Sequence, residues 1–108
     1  MVTMIFLMLV WHAIADYPLQ GDFLAKAKNR LMPIPGVPWW QALSAHSLIH
    51  AGGVYWITKS LTLALLEFAS HFVIDTLKCS NKIGFNSDQV LHVLCKIVWA
   101  AMFYYGFA

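Results

Sequence analysis

Charge is what this sequence has least of: Asp, Glu, Lys and Arg make up 11% of its 108 residues, and hydrophobic residues 60%. The charged share is less than half that of an ordinary soluble domain. A soluble fold this small has too much surface for so few charges to cover, so lipid is the expected solvent. A strong charge of either sign is also missing. The formal net charge is +2, and no basic run interleaved with aromatics occurs, which excludes a nucleic-acid-binding surface. Cysteine is scarce. Cys79 and Cys95 form neither CxxC nor zinc-ribbon spacing, so neither a disulfide framework nor a cysteine metal site is expected, and Cys95 reads as a small buried thiol. No Lys or Arg precedes the apolar residues 1–10. Ala13-Ile14-Ala15 before Asp16 imitates a signal-peptidase site, but a signal peptide needs a basic leader, so the segment is read as a retained first membrane helix. No internal repeat is evident, and the length leaves room for one domain, 1–108.

The apolar residues fall into spans. Residues 1–24 are apolar apart from His12, Asp16, Gln20 and Asp22. A basic, broken loop follows, with Lys26, Lys28, Arg30, Pro33, Pro35 and Pro38. Pro38 suits the first turn of a helix, where its missing N–H leaves nothing unsatisfied, and a second helix is predicted over 38–57. Lys59 and Ser60 leave a very short turn, which forces the third helix, 61–78, to lie antiparallel beside the second. After a polar loop, Asn86 with Gln89 resembles a capping pair for a fourth helix over 87–108. Each span holds roughly 17–22 residues, enough for a ~30 Å hydrocarbon core. The expected fold is all-α, a four-transmembrane-helix antiparallel (up-down) membrane bundle. Loops one and three carry Lys26, Lys28, Arg30, Lys78 and Lys82, against Lys59 alone in loop two. The positive-inside rule then places loops one and three in the cytoplasm and both termini outside.

Within the spans the polar residues recur as pairs four apart: His12 and Asp16, His46 and His50, His71 and Asp75, Asp88 and His92. All five histidines and three of the four aspartates belong to these pairs. A spacing of four puts both side chains on one helix face. Because motif position alternates with helix direction, all four pairs fall in the cytoplasmic half of an up-down bundle. At ~1.5 Å per residue, Asp16, His46, His71 and His92 share a depth, with His12, His50 and Glu67 deeper and Asp75 and Asp88 shallower.

Ionisable groups at such depth face a partner, a cavity or a path. Imidazole and carboxylate oxygen together suit zinc first, and manganese or iron as well. The metal-ligand candidates are His12, Asp16, His46, His50, His71, Asp75, Asp88 and His92. One ion takes about four to six such groups, so the set implies two ions, or one ion with an outer layer of hydrogen-bonding groups. The bland alternative is an interhelical hydrogen-bond network that only holds the bundle together. Glu67, one turn before His71, and Asp16 are the candidate catalytic carboxylates. Lys78 reads as a snorkelling lysine or a holder of an anionic head group. Gln20 and Gln89 read as histidine partners or helix caps.

These residues also carry a resemblance. His12-Ala-Ile-Ala-Asp16-Tyr-Pro-Leu-Gln20, followed by Asp22 and Lys26, resembles the opening signature of the domain-of-unknown-function 3307 family, small polytopic membrane proteins of bacteria and their phages. Tyr17 stands where phenylalanine is more usual. His46 with His50, Ser70-His71-Phe72-Val73-Ile74-Asp75 with Lys78, and Asp88-Gln89-Val90-Leu91-His92 continue the match over nearly the whole chain. The resemblance implies a site in the bacterial inner (plasma) membrane and brings no established activity. More loosely, the pattern is similar to membrane-bound metal-dependent hydrolases with HxxxD helices, an analogy that does not carry function by itself. The expectation is a divalent-metal site, with zinc foremost, that hydrolyses a lipid-linked or membrane-delivered substrate through metal-activated water. The competing expectation is a non-catalytic protein whose cluster forms an ion or proton pathway or a structural network. The lipid bilayer is the expected partner, nucleic acid is not, and an oligomer is compatible with the sequence.

Overall fold

A computed structural model of the chain describes residues 1–107; the expected end of the last helix at Ala108 lies outside the described residues. Among the described residues the fold is all-α. Its helices are α1 (Val2–Asp16), α2 (Gly21–Ala27), α3 (Trp39–Thr58), α4 (Leu61–Cys79) and α5 (Phe85–Tyr104).

The first expected helix, 1–24, is two helices instead of one. Pro18 has no N–H to return to the preceding turn, and the Leu19 N–H reaches the Ile14 carbonyl instead, at 3.1 Å. Gly21 then takes a left-handed φ of +62°, a conformation that costs glycine little. The chain turns 85° between α1 and α2. No other single change from the expected fold matters as much for the site.

The α3–α4 hairpin follows the sequence closely. Lys59 closes α3 in the left-handed region at φ 58°, and the Ser60 hydroxyl accepts from the Leu63 N–H at 3.2 Å, a serine N-cap. Thr58 Oγ1 ties the corner by donating to the Val54 carbonyl at 2.8 Å and accepting from the Ser60 N–H at 3.1 Å. The α5 cap differs from expectation. Gly84 is the N-cap and no side chain bonds there, so Asn86 is already inside the helix and Gln89 is free to turn inward.

Polar and apolar residues are distributed in reverse of a soluble bundle. Met8, Val54, Leu63, Trp99 and Ala100 form a buried apolar core towards the Lys59 end. The other half of the interior holds His12, His46, His50, Glu67, His71, Asp75, Asp88, His92 and Lys96, all buried. Leu48, Leu65, Val73, Val90, Leu94 and Val98 point outward, each at least 49% exposed. Helices α1 and α3 approach closely at Gly53, where a Cβ would fall onto the Trp11 indole, and the Trp11 Nε1–H donates to the Ile49 carbonyl at 3.0 Å.

Among the described residues no single helix is long and apolar enough to cross a membrane; α1 and α2 together meet that standard but across their 85° bend. Among the polar residues that lower the hydropathy of α3, α4 and α5 are the buried His46, His50, Glu67, His71, Asp75, Asp88, His92 and Lys96.

Candidate functional site

Asp16, the last residue of α1, is the hub of the polar half. Three imidazole Nε2 atoms converge on its carboxylate: His12 at 3.2 Å from Oδ2, and His46 at 3.2 Å and His50 at 2.9 Å from Oδ1. His50 donates to Asp16 as a true hydrogen bond. The His46 contact lacks hydrogen-bond geometry. From α4, the His71 ring stacks between His50, with centroids 3.8 Å apart, and His92 of α5, at 4.2 Å. All five histidines are at most 6% exposed. The helical spacing of four therefore did bring every pair to one interior cluster.

Hydrogen-bond accounting divides that cluster. His12 donates from Nε2 to Gln89 Oε1 at 3.1 Å, and the Gln89 amide donates to Asp88 Oδ2 at 3.0 Å and Asp16 Oδ2 at 3.4 Å. Gln89 thus links α1 to α5, the histidine-bonding role expected of it. Gln20 donates to the Asp16 carbonyl, a helix-end role. Among the described residues, neither nitrogen of His46 or of His71 has a hydrogen-bond partner, although these atoms are buried. Buried polar atoms are nearly always partnered, and an unmade bond costs about 1–3 kcal/mol per group. Unpartnered imidazole nitrogens beside a carboxylate are what a cation-binding centre looks like.

Asp16, His46, His50 and His71 can each offer one ligand atom, all within 4.8 Å of one another. Ligand bonds of ~2.0–2.2 Å place tetrahedral neighbours ~3.4 Å apart, so modest side-chain movement would close the set. This His/Asp group could hold a metal ion. The other expected ligands stand around it. Asp75 Oδ2 lies 3.7 Å from His46 Nε2 and 3.8 Å from His71 Nε2, but the buried Lys28 ammonium donates to it at 2.6 Å. Asp88 Oδ1 lies 3.3 Å from His92 Nε2. Glu67 sits on the far side, bonded to the Lys96 ammonium and accepting from the Trp99 Nε1–H at 2.7 Å, with His71 Nδ1 3.7 Å away.

Lys28, Lys96 and Trp99 are the site residues that sequence reasoning missed. Together they sort the buried carboxylates. Asp75 has Lys28 and Glu67 has Lys96, whereas Asp16 and Asp88 have only imidazoles and an amide for company.

A polar cavity of about 280 Å³ leads from this end of the molecule to the cluster. Asp16, Lys28, Asp75, Lys78, Asp88 and His92 are among the residues that line it. Asp16 is the one member of the four-residue group that faces it. An ion held there would keep one side turned to the cavity.

The architecture defines a class: a small all-α bundle, apolar outside, with a buried His/Asp centre reached from one end. A family model described as "Protein of unknown function (DUF3307)" matches residues 4–107, and the chain belongs to that family. No curated protein and no solved structure matches the chain.

Proposed function

We propose that this protein is an integral membrane, divalent-metal-dependent hydrolase acting on a lipid-linked or membrane-delivered substrate. The observation that carries the metal reading is that His46 and His71, whose nitrogens have no hydrogen-bond partner among the described residues, each bring one ligand atom within 4.8 Å of those of Asp16 and His50. The donor set of three imidazoles and one carboxylate suits zinc, with manganese or iron as further candidates.

The membrane reading is supported by the reversed polarity of the fold. Polar groups are inside and large apolar side chains outside, and α3 and α5, at 20 residues each, reach ~30 Å, the thickness of a hydrocarbon core. In this reading α1, α3, α4 and α5 cross the bacterial inner membrane. The α2–α3 and α4–α5 connections are cytoplasmic, and both termini are outside.

Hydrolysis is favoured over a transport path because polar access is one-sided. The cavity reaches the cluster from the lysine-rich end, and beyond Glu67 and Lys96 the interior closes with Met8, Val54, Leu63 and Ala100. A bound divalent ion would supply water acidified towards neutrality. Asp16 would orient that ion towards the cavity. Asp75, which lines the cavity with its charge held by Lys28, would take the proton more readily than Glu67, which does not line it.

Elemental analysis of detergent-purified protein tests this reading, with anomalous scattering to identify the ion. The expected result is about one divalent ion per chain, or two if the outer groups share a second. Protein that carries no metal and takes up neither zinc nor manganese would reduce the cluster to a hydrogen-bond network and remove the hydrolase with it.

A further inference from the structure

The cavity mouth has a chemistry of its own. Of the seven Lys and Arg residues, Lys26, Lys28, Arg30, Lys78 and Lys82 belong to this end of the fold. Lys28 is committed to Asp75. Arg30 is engaged elsewhere on the exposed surface, donating from Nε to Ser80 Oγ at 2.8 Å. Lys78 has no ion-pair partner among the described residues; its ammonium lies 5.3 Å from the Phe85 ring centroid, and both side chains line the cavity. Asp16, Asp75 and Asp88 line the same space; if a divalent ion balances Asp16 and Asp88, and Lys28 balances Asp75, Lys78 is left as the spare charge facing it. Asp22 also lines it but is solvent-exposed, where water screens it.

The turn at Pro18–Gly21 adds geometry. Because α2 leaves α1 at 85°, α2 lies in the plane of the bilayer surface if α1 crosses it. Phe23 of α2, with Leu19 before that helix and Leu31 and Met32 after it, are all at least 47% exposed, in a stretch that also holds Lys26 and Arg30. Apolar residues directed outward with basic ones at their flank are the signature of an interfacial helix. Gly21, Asp22 and Ala25 of α2 line the cavity, which in the membrane reading sets it beside the head-group layer.

We infer that this cavity binds the phosphate of an anionic lipid head group, admitted alongside α2, with the Lys78 ammonium as its anion contact. The inference rests on the membrane and metal readings above and names the substrate class they leave open.

The test uses the full chain in zwitterionic detergent, equilibrated with zinc, with binding read by native mass spectrometry. The probes are dioctanoyl phosphatidylglycerol, dioctanoyl phosphatidylcholine and inorganic phosphate. The expected result is that the anionic lipid binds about tenfold more tightly than the zwitterionic one, whose phosphate charge is offset by its own choline cation, which Lys78 repels. Lys78→Gln should abolish that preference, Lys78→Arg should restore it, and Lys59→Gln, at the opposite end, should leave it unchanged. Millimolar phosphate should not displace the lipid. Equal binding of the two lipids by the unaltered protein, which needs no variant to fold, would overturn the inference, and so would a preference that survives Lys78→Gln. Displacement by phosphate would show a soluble anion site in place of a lipid one. Metal content and detergent requirement, measured on the same sample, report separately on the earlier proposal.

Discussion

Lys96→Met probes the deepest charge in the bundle. The Lys96 and Glu67 side chains are 1% and 0% exposed, so neither has water to fall back on. Removing the ammonium leaves a buried carboxylate with only the Trp99 N–H directly bonded to it. Breaking a buried pair by removing one partner destabilises by about 3–5 kcal/mol, which is roughly two to four powers of ten in the folded-to-unfolded ratio. Glu67→Gln combined with Lys96→Met removes both charges while keeping an acceptor for Trp99, and should recover most of the loss. Reversible unfolding in mixed micelles containing increasing SDS, followed by tryptophan fluorescence, measures all the variants on one scale. If Lys96→Met falls within about 1 kcal/mol of the parent, or the double variant is at least as unstable as the two single losses added together, the pair is not the buried, mutually dependent unit described here.

Four other outcomes are expected. Gly53→Ala should destabilise by about 1–3 kcal/mol, because its new methyl overlaps Trp11 and must push α1 from α3; an unchanged midpoint in the same unfolding assay would contradict the close approach. His50→Ala should lower zinc occupancy far more than Lys78→Ala, since imidazole can ligate an ion and an ammonium cannot; equal losses in elemental analysis would place the ion elsewhere. Zinc affinity should fall as pH is lowered, because protons compete with the ion for its ligands; a competition titration that stays flat down to the acid limit of the folded protein would argue against histidine ligation. In cells carrying a variant free of Cys79 and Cys95, an impermeant thiol reagent should label a cysteine at Lys59 and spare one at Met32, and the reverse pattern would invert the proposed topology.

The pairing of histidine and aspartate was legible because its carrier is local. Four residues is one helical turn, and in chain segments so apolar each polar residue needs a partner inside. That reasoning reaches residues on one face of one helix and predicts that the faces meet. It does not reach Lys96, whose positions four before and four after hold His92 and Ala100; its partner Glu67 is on α4, and only tertiary packing joins them. Lys28 was equally hidden. As one of three cations in a loop it looked solvated, and the α1–α2 bend is what carries it to Asp75, 47 residues away in the chain. The signals for that bend were present in Pro18 and Gly21, but a long apolar stretch outweighed them. Asn86 shows the opposite error, a local capping pattern without effect because Gly84 begins the helix two residues earlier.

Charge bookkeeping across the interior joins these pieces. A buried carboxylate is expensive unless something opposes it, and this bundle opposes two of its four with dedicated ammonium groups, Lys28 for Asp75 and Lys96 for Glu67. Supplying a third lysine to Asp16 would have been no harder for the sequence, yet the groups aimed at Asp16 are imidazoles. Neutral imidazoles do not cancel a charge, and five cationic ones with ring centroids as close as 3.8 Å and 4.2 Å would repel one another strongly. Asp16 and Asp88 together leave two negative charges uncompensated by any buried ammonium, and one divalent cation, if bound, would carry the two positive charges that balance them. Imidazoles left neutral are then in the form that ligates. The lysines that look like rivals of a metal would then confine it: they neutralise Asp75 and Glu67 and leave Asp16 and Asp88 as the carboxylates that face both imidazoles and the cavity.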